Sequence, residues 1–462
     1  MKSLDTFFER TCGGLPGHPV ARWAAVFFSL FVLALQISIA ASQALLAVAA
    51  TLYAIHLLKD RPEVHFLPVK LPLACFCVFS IASIFWAANP TVGWFAVRKL
   101  VLFLIWILAV NLIVSREHLR RLVLAFCMVS ALAGVVAIMQ FVVQYRDVRA
   151  HHPDQIYRIL TSLRIDGFMG HWMNFGGQQM LAYGLLMGFL LLSAVASRAG
   201  FLNGRREEKS DTPSASVVPT RISKLWWAVL AIVAVSIILN FTRGVWLGCF
   251  VATVYMVARW KPIAFLALPV LLAVGYVGAP SLVRERLSHA IHPTEEPALN
   301  IRLEMWRVAV RMIRAHPLVG VGPNNIEQVY NLYLPPGTTP VEGYHSHFHN
   351  DFFQFGAERG LPCLLSWVWL MAALGWHAWK ARRRLLMQRW IADAALAGWL
   401  AFLAEGCFEF NFGTSPVLMV FLFVISTPFV AAGVRDFQED RDRQGEISAP
   451  RRDPFQAVPS SI

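Results

Sequence analysis

Apolar runs separated by short polar turns dominate the chain. Twelve of them, at roughly 22–38, 41–58, 69–88, 94–114, 120–143, 176–197, 225–241, 244–258, 262–279, 361–379, 390–408 and 416–434, approach the about 20 residues that a helix needs to cross hydrocarbon. None alternates with the period of two that an outer-membrane barrel strand requires. The pattern predicts an all-α polytopic membrane protein with about 12 transmembrane helices. Residues 1–279 would hold helices 1–9, interrupted at 198–224 by a polar, Ser/Pro-rich linker. Residues 280–360 form a long loop, 361–434 hold helices 10–12, and 435–462 make a polar tail. No cleavage site of small residues follows the first apolar run, so that run is expected to stay as an anchor.

Composition agrees with this map. The chain is 57% hydrophobic and 15% charged over 462 residues. Its seven cysteines lie mostly inside apolar runs, without metal-ligand spacing or a disulfide framework. With both termini on the cytoplasmic side, 27 of the 41 basic residues fall in inside segments, as the positive-inside rule demands. The 280–360 loop is then outside. Of the 14 basic residues left near the outer face, all but Lys99 are arginine. A guanidinium grips phosphate oxygens with a planar fork, so the surplus points to a phosphate-bearing ligand. The plainer reading is that arginine is simply the commoner base in this chain.

Particular residues sharpen the picture. Arg243 sits between two apolar runs in Asn240-Phe241-Thr242-Arg243-Gly244, where an uncompensated guanidinium costs about 2.5–3.5 kcal/mol, unless it snorkels to the interface. Arg98 and Lys99 end the fourth span and either meet the same ligand or anchor the interface beside Trp94. Arg164 lies in a glycine-containing loop, where it can reach a ligand or pair with Asp166. Residues 300–316 predict a helix with Leu303, Trp306, Val310 and Ile313 on one face. Arg307, Arg311 and Arg314 flank that stripe in the manner of an interfacial helix, and Arg302 falls on its other side.

The loop's centre reads Tyr344-His345-Ser346-His347-Phe348-His349-Asn350-Asp351. In an extended strand, His345, His347, His349 and Asp351 would share one face, a zinc-like donor row. Consecutive alternate ligands close a tetrahedron poorly, so neutral histidine as general base or phosphate partner fits an Arg-rich site better. Solvated loop histidines are the bland alternative. Glu405 and Glu409, at the outer end of the eleventh span, are an acidic pair able to neutralise and hold some of the arginines.

Taken together, these residues resemble the O-antigen ligases, within the superfamily that also holds O-antigen polymerases and bacterial protein O-oligosaccharyltransferases. The resemblance rests on Thr242-Arg243-Gly244 opening a span, on Arg302 through Trp306, and on the turn Pro317-Leu318-Val319-Gly320-Val321-Gly322. It rests further on His347-Phe348-His349-Asn350 followed by Gln354, Glu358 and Gly360, and on the spacing of Arg311 from Gly322. It implies a GT-C-type helical fold in the bacterial inner membrane, with its active site facing the periplasm. The implied reaction is inverting and metal-independent, with no cofactor. It moves a polysaccharide from undecaprenyl pyrophosphate to a sugar hydroxyl of lipid A–core. Membrane lipids are the other partners, and no nucleic acid is expected.

In the roles the resemblance implies, His349 or His347 is the base. Arg243, Arg302, Arg164, Arg98, Lys99 and Arg311 meet the pyrophosphate, while His345, Asn350 and Glu358 support the site. The third histidine, His345, departs from the common box. The related polymerase and protein-glycosylating activities are alternatives, and the short tail favours the ligase over the latter. A secondary transporter is a more distant one, disfavoured because the charges gather at one face.

Overall fold

The computed structural model describes residues 15–207, 223–291, 297–338, 346–385 and 388–448, with backbone alone at 194–207, 289–291, 297–299 and 434–448. His345, Cys12 and most of the 198–224 linker lie outside the described residues. Within them the chain is helical throughout, with no strand.

The helices are α1 (Pro19–Ala34), α2 (Ile39–Asp60), α3 (Lys70–Ala82), α4 (Pro90–Val97), α5 (Leu104–Leu112), α6 (Arg116–His151), α7 (Ile156–Leu163) and α8 (Trp172–Glu207). They continue as α9 (Lys224–Leu239), α10 (Arg243–Trp260), α11 (Leu268–Gly278), α12 (Ser281–Ile291) and α13 (Pro297–Ala315). The last three are α14 (Asp351–Arg384), α15 (Arg389–Gly406) and α16 (Ser415–Ser448). Among the described residues, six segments are long and apolar enough to cross a membrane: Ile39–Asp60, Pro90–Leu112, Arg116–His151, Trp172–Ser193, Asp351–Arg384 and Ser415–Gly433. Pro19–Ala34, Lys70–Trp86, Lys224–Leu239 and Pro262–Gly278 are shorter apolar helices.

Helices α8, α10, α15 and α16 form the centre of the bundle. The apolar windows of Trp172–Ser193 and Ser415–Gly433 are each 83% buried in protein, against 22% for Ile39–Asp60 at the periphery. Small residues permit the close approach: a Cβ at Gly188 would meet Ala394 of α15 at 2.6 Å, and one at Gly398 would press on Val424 and Leu181.

Boundaries differ from the sequence reading in three places. Helix α8 runs on to Glu207, through Gly200 and Gly204, over residues that composition assigned to the linker. The tail stays helical to Ser448. Helix α14 begins at Asp351 rather than near 361, because the Asn350 side chain caps it by accepting from the Phe353 N–H at 3.0 Å.

Outside the bundle, α13 packs on the first turns of α14. Its buried face is Met305, Val308, Ala309 and Met312, joined by Val321, Ile326, Phe348 and Ala357 in a small separate core. The expected stripe is thus rotated: Leu303 is exposed, because α13 is gripped from the Met305 side by protein instead of lying on lipid.

The Pro-x-x-Gly-x-Gly turn docks that cap onto the bundle. Helical geometry in α14 breaks at Gly360, with φ +80° and ψ 170°. The freed carbonyls of Ala357 and Glu358 accept from the Val321 and Gly322 N–H groups at 2.9 and 2.8 Å, and Leu361 N–H donates to Pro317 O at 2.7 Å. Gly320 has φ +67°, and added Cβ atoms at Gly320 and Gly360 would each overlap the other segment's backbone. Both positions therefore need glycine twice over, for their dihedral and for their space.

Gly337 has the same φ of +80° but open space around it, so it isolates the dihedral cost. Gly337→Ala should lower stability by about 1 kcal/mol, whereas Gly360→Ala should cost several-fold more, since backbone cannot move aside. Thermal melts of the two detergent-solubilised variants compare them; equal shifts would rule out the docking described.

Candidate functional site

Four chain segments meet beside the start of α10 and the end of α15. The turn between α9 and α10 organises them. Asn240 donates from Nδ2 to Ile165 O at 2.8 Å and Trp172 O at 3.1 Å, and its Oδ1 accepts from the Thr242 hydroxyl at 2.5 Å. Arg286 of α12, buried, donates from Nε to Phe241 O at 3.2 Å. The loop carrying Arg164, the turn carrying Arg243 and helix α12 are thereby fixed together. Gly244 follows Arg243 on α10 and lies against α15's end: a Cβ there would stand 3.5 and 3.7 Å from the Cγ atoms of Glu405 and Glu409.

Glu409 is the centre. It is buried, and its two oxygens are divided between two partners from the 281–350 segment: Arg302 Nη2 at 2.5 Å and His349 Nδ1 at 2.7 Å. Burial alone would raise this carboxyl. The His349 hydrogen bond and the Arg302 charge outweigh it, so the net shift is downward and Glu409 is a carboxylate at neutral pH. A carboxylate can only accept, so His349 must present Nδ1–H to it and carry its lone pair on Nε2.

The other imidazoles and guanidiniums crowd around this pair. The His347 ring lies 4.2 Å from that of His349, centroid to centroid. Burial, then His349, Arg302 and His171, push His347 down to about 4 against the pull of Glu409. Arg164 has φ +45°, donates from Nε to Thr161 O at 2.8 Å, and lays its guanidinium over Trp172 at 3.8 Å. Burial first, then the charges of Arg286, Arg302 and Arg243, lower it to about 10, partly offset by Glu409, so it stays protonated. Arg164, Arg243, Arg286 and Arg302 make a cationic basin around Glu409. Chemically it offers an oriented imidazole base beside donors for a dianionic group.

Other expected residues stand elsewhere. Asn350 caps α14 and donates from Nδ2 to Cys407 O at 2.7 Å. Glu358 is buried and accepts from Asn324 N–H and Gln354 Nε2, each at 2.8 Å, which secures the docking turn. Arg311 is exposed and donates to Tyr333 O at 3.4 Å, on the far side of α13. Lys99 donates to Gly413 O and lines a small cavity with Glu358, Arg359 and Phe410. Arg98 is exposed over Phe95 at 5.3 Å.

Asp351 does not continue a histidine row: it begins α14, and its Oδ1 accepts from Phe412 N–H at 3.3 Å. The donor atoms of His347, His349 and Glu409 lie within 4.8 Å of one another, close enough for a metal set. However, both Glu409 oxygens are engaged, and the surrounding guanidiniums make the basin hostile to a dication. Sequence reasoning missed Arg286, which reads as one of several arginines in a polar helix, and His171. It took Glu409 as a neutraliser of arginines without seeing that it also holds the histidine.

Residues 228–368 match the family model described as O-Antigen ligase. Over that stretch the chain is similar to the O-antigen ligase family. The match runs from α9 through Arg243, Arg286, Arg302 and the histidine box past the Gly360 break. Glu409 and Arg164 lie outside it and are brought to it by the fold. No curated protein matches the chain.

His347 gives a pH test of this arrangement. In the unfolded chain it binds a proton near pH 6.5; folded, it resists until about 4. The unfolded state therefore holds more protons between those values, and stability falls as pH drops from 6.5 towards 4. His347→Gln should flatten part of that fall. Melting temperatures of both proteins across the window would expose the error if their slopes were the same.

Proposed function

We propose that this protein is a glycosyltransferase that moves an O-antigen polysaccharide from undecaprenyl pyrophosphate to a sugar hydroxyl of lipid A–core. The observation that carries the reading is the shared Glu409 carboxylate, which holds an imidazole and a guanidinium side by side at the edge of a cationic basin. The family match supplies the substrate class.

In this reading the twelve apolar segments all cross the bacterial inner membrane, in a GT-C-like arrangement. Residues 1–279 hold helices 1–9, 280–360 form the periplasmic catalytic loop, 361–434 hold helices 10–12, and 435–462 are cytoplasmic. The basic residues concentrated at the opposite end support this orientation.

The chemistry follows from the geometry. His349 Nε2 takes the proton of the acceptor hydroxyl as its oxygen bonds to the anomeric carbon. The bond from that carbon to the phosphate oxygen breaks, and its electron pair leaves on the pyrophosphate. Attack opposite the leaving group inverts the carbon. Arg302, Arg243, Arg164 and Arg286 stand where they can neutralise the charge that develops on the departing group. His347, neutral near pH 7, borders the same space without adding charge. Arg98, Lys99 and Arg311 would act on substrate approach or on structure, since they lie apart from Glu409. No metal is required by these steps.

Cells lacking the protein, complemented with variants, test the reading. Wild type should restore full-length glycan on lipopolysaccharide. His349→Ala should leave bare core and strand long glycan on the polyprenyl carrier, with transfer by purified enzyme reduced by about 10²–10⁴-fold. Core capped by a single repeat unit would instead identify a polymerase. Unchanged lipopolysaccharide in the deletion would exclude both.

Glu409→Gln separates base orientation from bulk electrostatics. An amide can donate to or accept from either imidazole nitrogen, so it no longer enforces the Nδ1–H tautomer. Turnover should fall by roughly tenfold or more. The acidic limb of the rate–pH profile should move as well, while donor KM changes less. A KM effect alone would reduce Glu409 to a holder of Arg302.

A further inference from the structure

A cavity lies at the end of the bundle opposite the candidate site, and none of the chemistry above uses it. It has a volume of about 530 Å³. Its polar side is formed by His377, Lys380 and Arg384 of α14, with His65 and Glu63 from the segment after α2. The α14 residues fall at i, i+3 and i+7, so one helical face turns all three towards the cavity. Its apolar side is formed by Phe66, Leu67, Val110 and Phe429.

The cavity is built into the fold. The 63–68 segment is clamped to α5 by a reciprocal pair: Asn111 Oδ1 accepts from His65 N–H at 2.9 Å, and Asn111 Nδ2 donates to His65 O at 2.8 Å. Leu67 and Val69 are buried beneath it. Elsewhere at this end Asp393 accepts from Arg382 at 2.6 Å and Tyr255 at 2.8 Å, with Arg259 Nε 3.5 Å away. The cavity lining brings Lys380 and Arg384 together with two imidazoles and the carboxylate of Glu63.

Its depth is that of lipid headgroups. From the Gly360 break to Lys380, α14 runs about 20 residues, or about 30 Å, one hydrocarbon thickness. Trp376 is exposed beside the cavity with the Lys380 ammonium 4.9 Å from its ring, the placement of an interfacial tryptophan.

We propose that this cavity binds the phosphate-bearing headgroup of an anionic phospholipid from the leaflet opposite the candidate site. Lys380 and Arg384 contact the phosphate, and the glycerol backbone and acyl chains run along Phe66, Leu67 and Phe429. A headgroup with an anionic phosphate and an apolar continuation is the ligand whose two parts match the two walls. The inference does not depend on glycosyl transfer and survives its failure.

Native mass spectrometry of the detergent-solubilised full chain tests it, with phosphatidylglycerol and phosphatidylcholine as probes. Wild type should retain phosphatidylglycerol in preference. The double variant Lys380→Ala/Arg384→Ala should lose about tenfold or more of that retention, while Arg383→Ala, exposed at the same end but outside the lining, should keep it. Should the double variant not be recovered monodisperse, Lys380→Ala alone should show the same direction. Equal retention of the two lipids, or no loss in the variants, overturns the proposal. So does displacement of phosphatidylglycerol by millimolar inorganic phosphate, which would make this a free-phosphate site.

Discussion

A carboxylate buried without partners is one of the most expensive arrangements a protein can hold. Glu409 escapes that cost only because Arg302 and His349 reach it from outside the bundle. It stands just past α15, at the centre of the helical bundle, while both partners belong to the segment between α12 and α14. The charge requirement of one residue therefore seats the cap on the bundle, and removing either partner would leave the other two groups poorly compensated. Structure and chemistry share a single contact here. Whatever fixes the cap also fixes the imidazole tautomer.

The second determinant is charge imbalance. Arg164, Arg243, Arg286 and Arg302 share one basin, and burial first, then the charges of the other three, lowers the affinity of Arg164 for its proton. Such a cluster persists because the fold pins its members separately, through Asn240, Phe241 and Trp172. An arriving dianion would relieve the repulsion rather than disturb the structure. In the proposed reaction that relief grows as the pyrophosphate leaves, which is where a glycosyltransferase gains most.

Helical membrane character was legible in the sequence because apolar runs of fixed length have few other uses. The docking turn was legible as a motif but not as a mechanism: Gly320 and Gly360 are 40 positions apart, and only the fold shows a Cβ at Gly320 meeting the backbone of Glu358 and Arg359, and one at Gly360 that of Leu318 and Val319. Arg243 and Arg302 could be singled out by their placement, one squeezed between spans and one off the lipid-facing cluster. Arg286 could not, since its burial comes from Phe241, a contact that no local pattern encodes. Arg311 shows the converse. Its register on α13 looked suitable, yet the helix is rotated so that Met305 and Met312 face the protein and Arg311 turns away.

The histidine box shows why an extended reading fails. Alternate residues of a strand share a face only while the backbone stays extended. His349 has φ +47°, a left-handed conformation that costs a non-glycine residue roughly 1–2 kcal/mol. It persists because both flanks are held: Phe348 N–H donates to Gln354 Oε1 at 2.8 Å, Trp306 Nε1 donates to Phe348 O at 3.0 Å, and Asn350 caps α14. This kink brings the rings of His347 and His349 to 4.2 Å and sends Asp351 into the helix, so the donor row never forms. Strain that is over-determined by its surroundings tends to mark function. Here it places an imidazole against Glu409, and the residues that hold the kink are the same ones that build the cap.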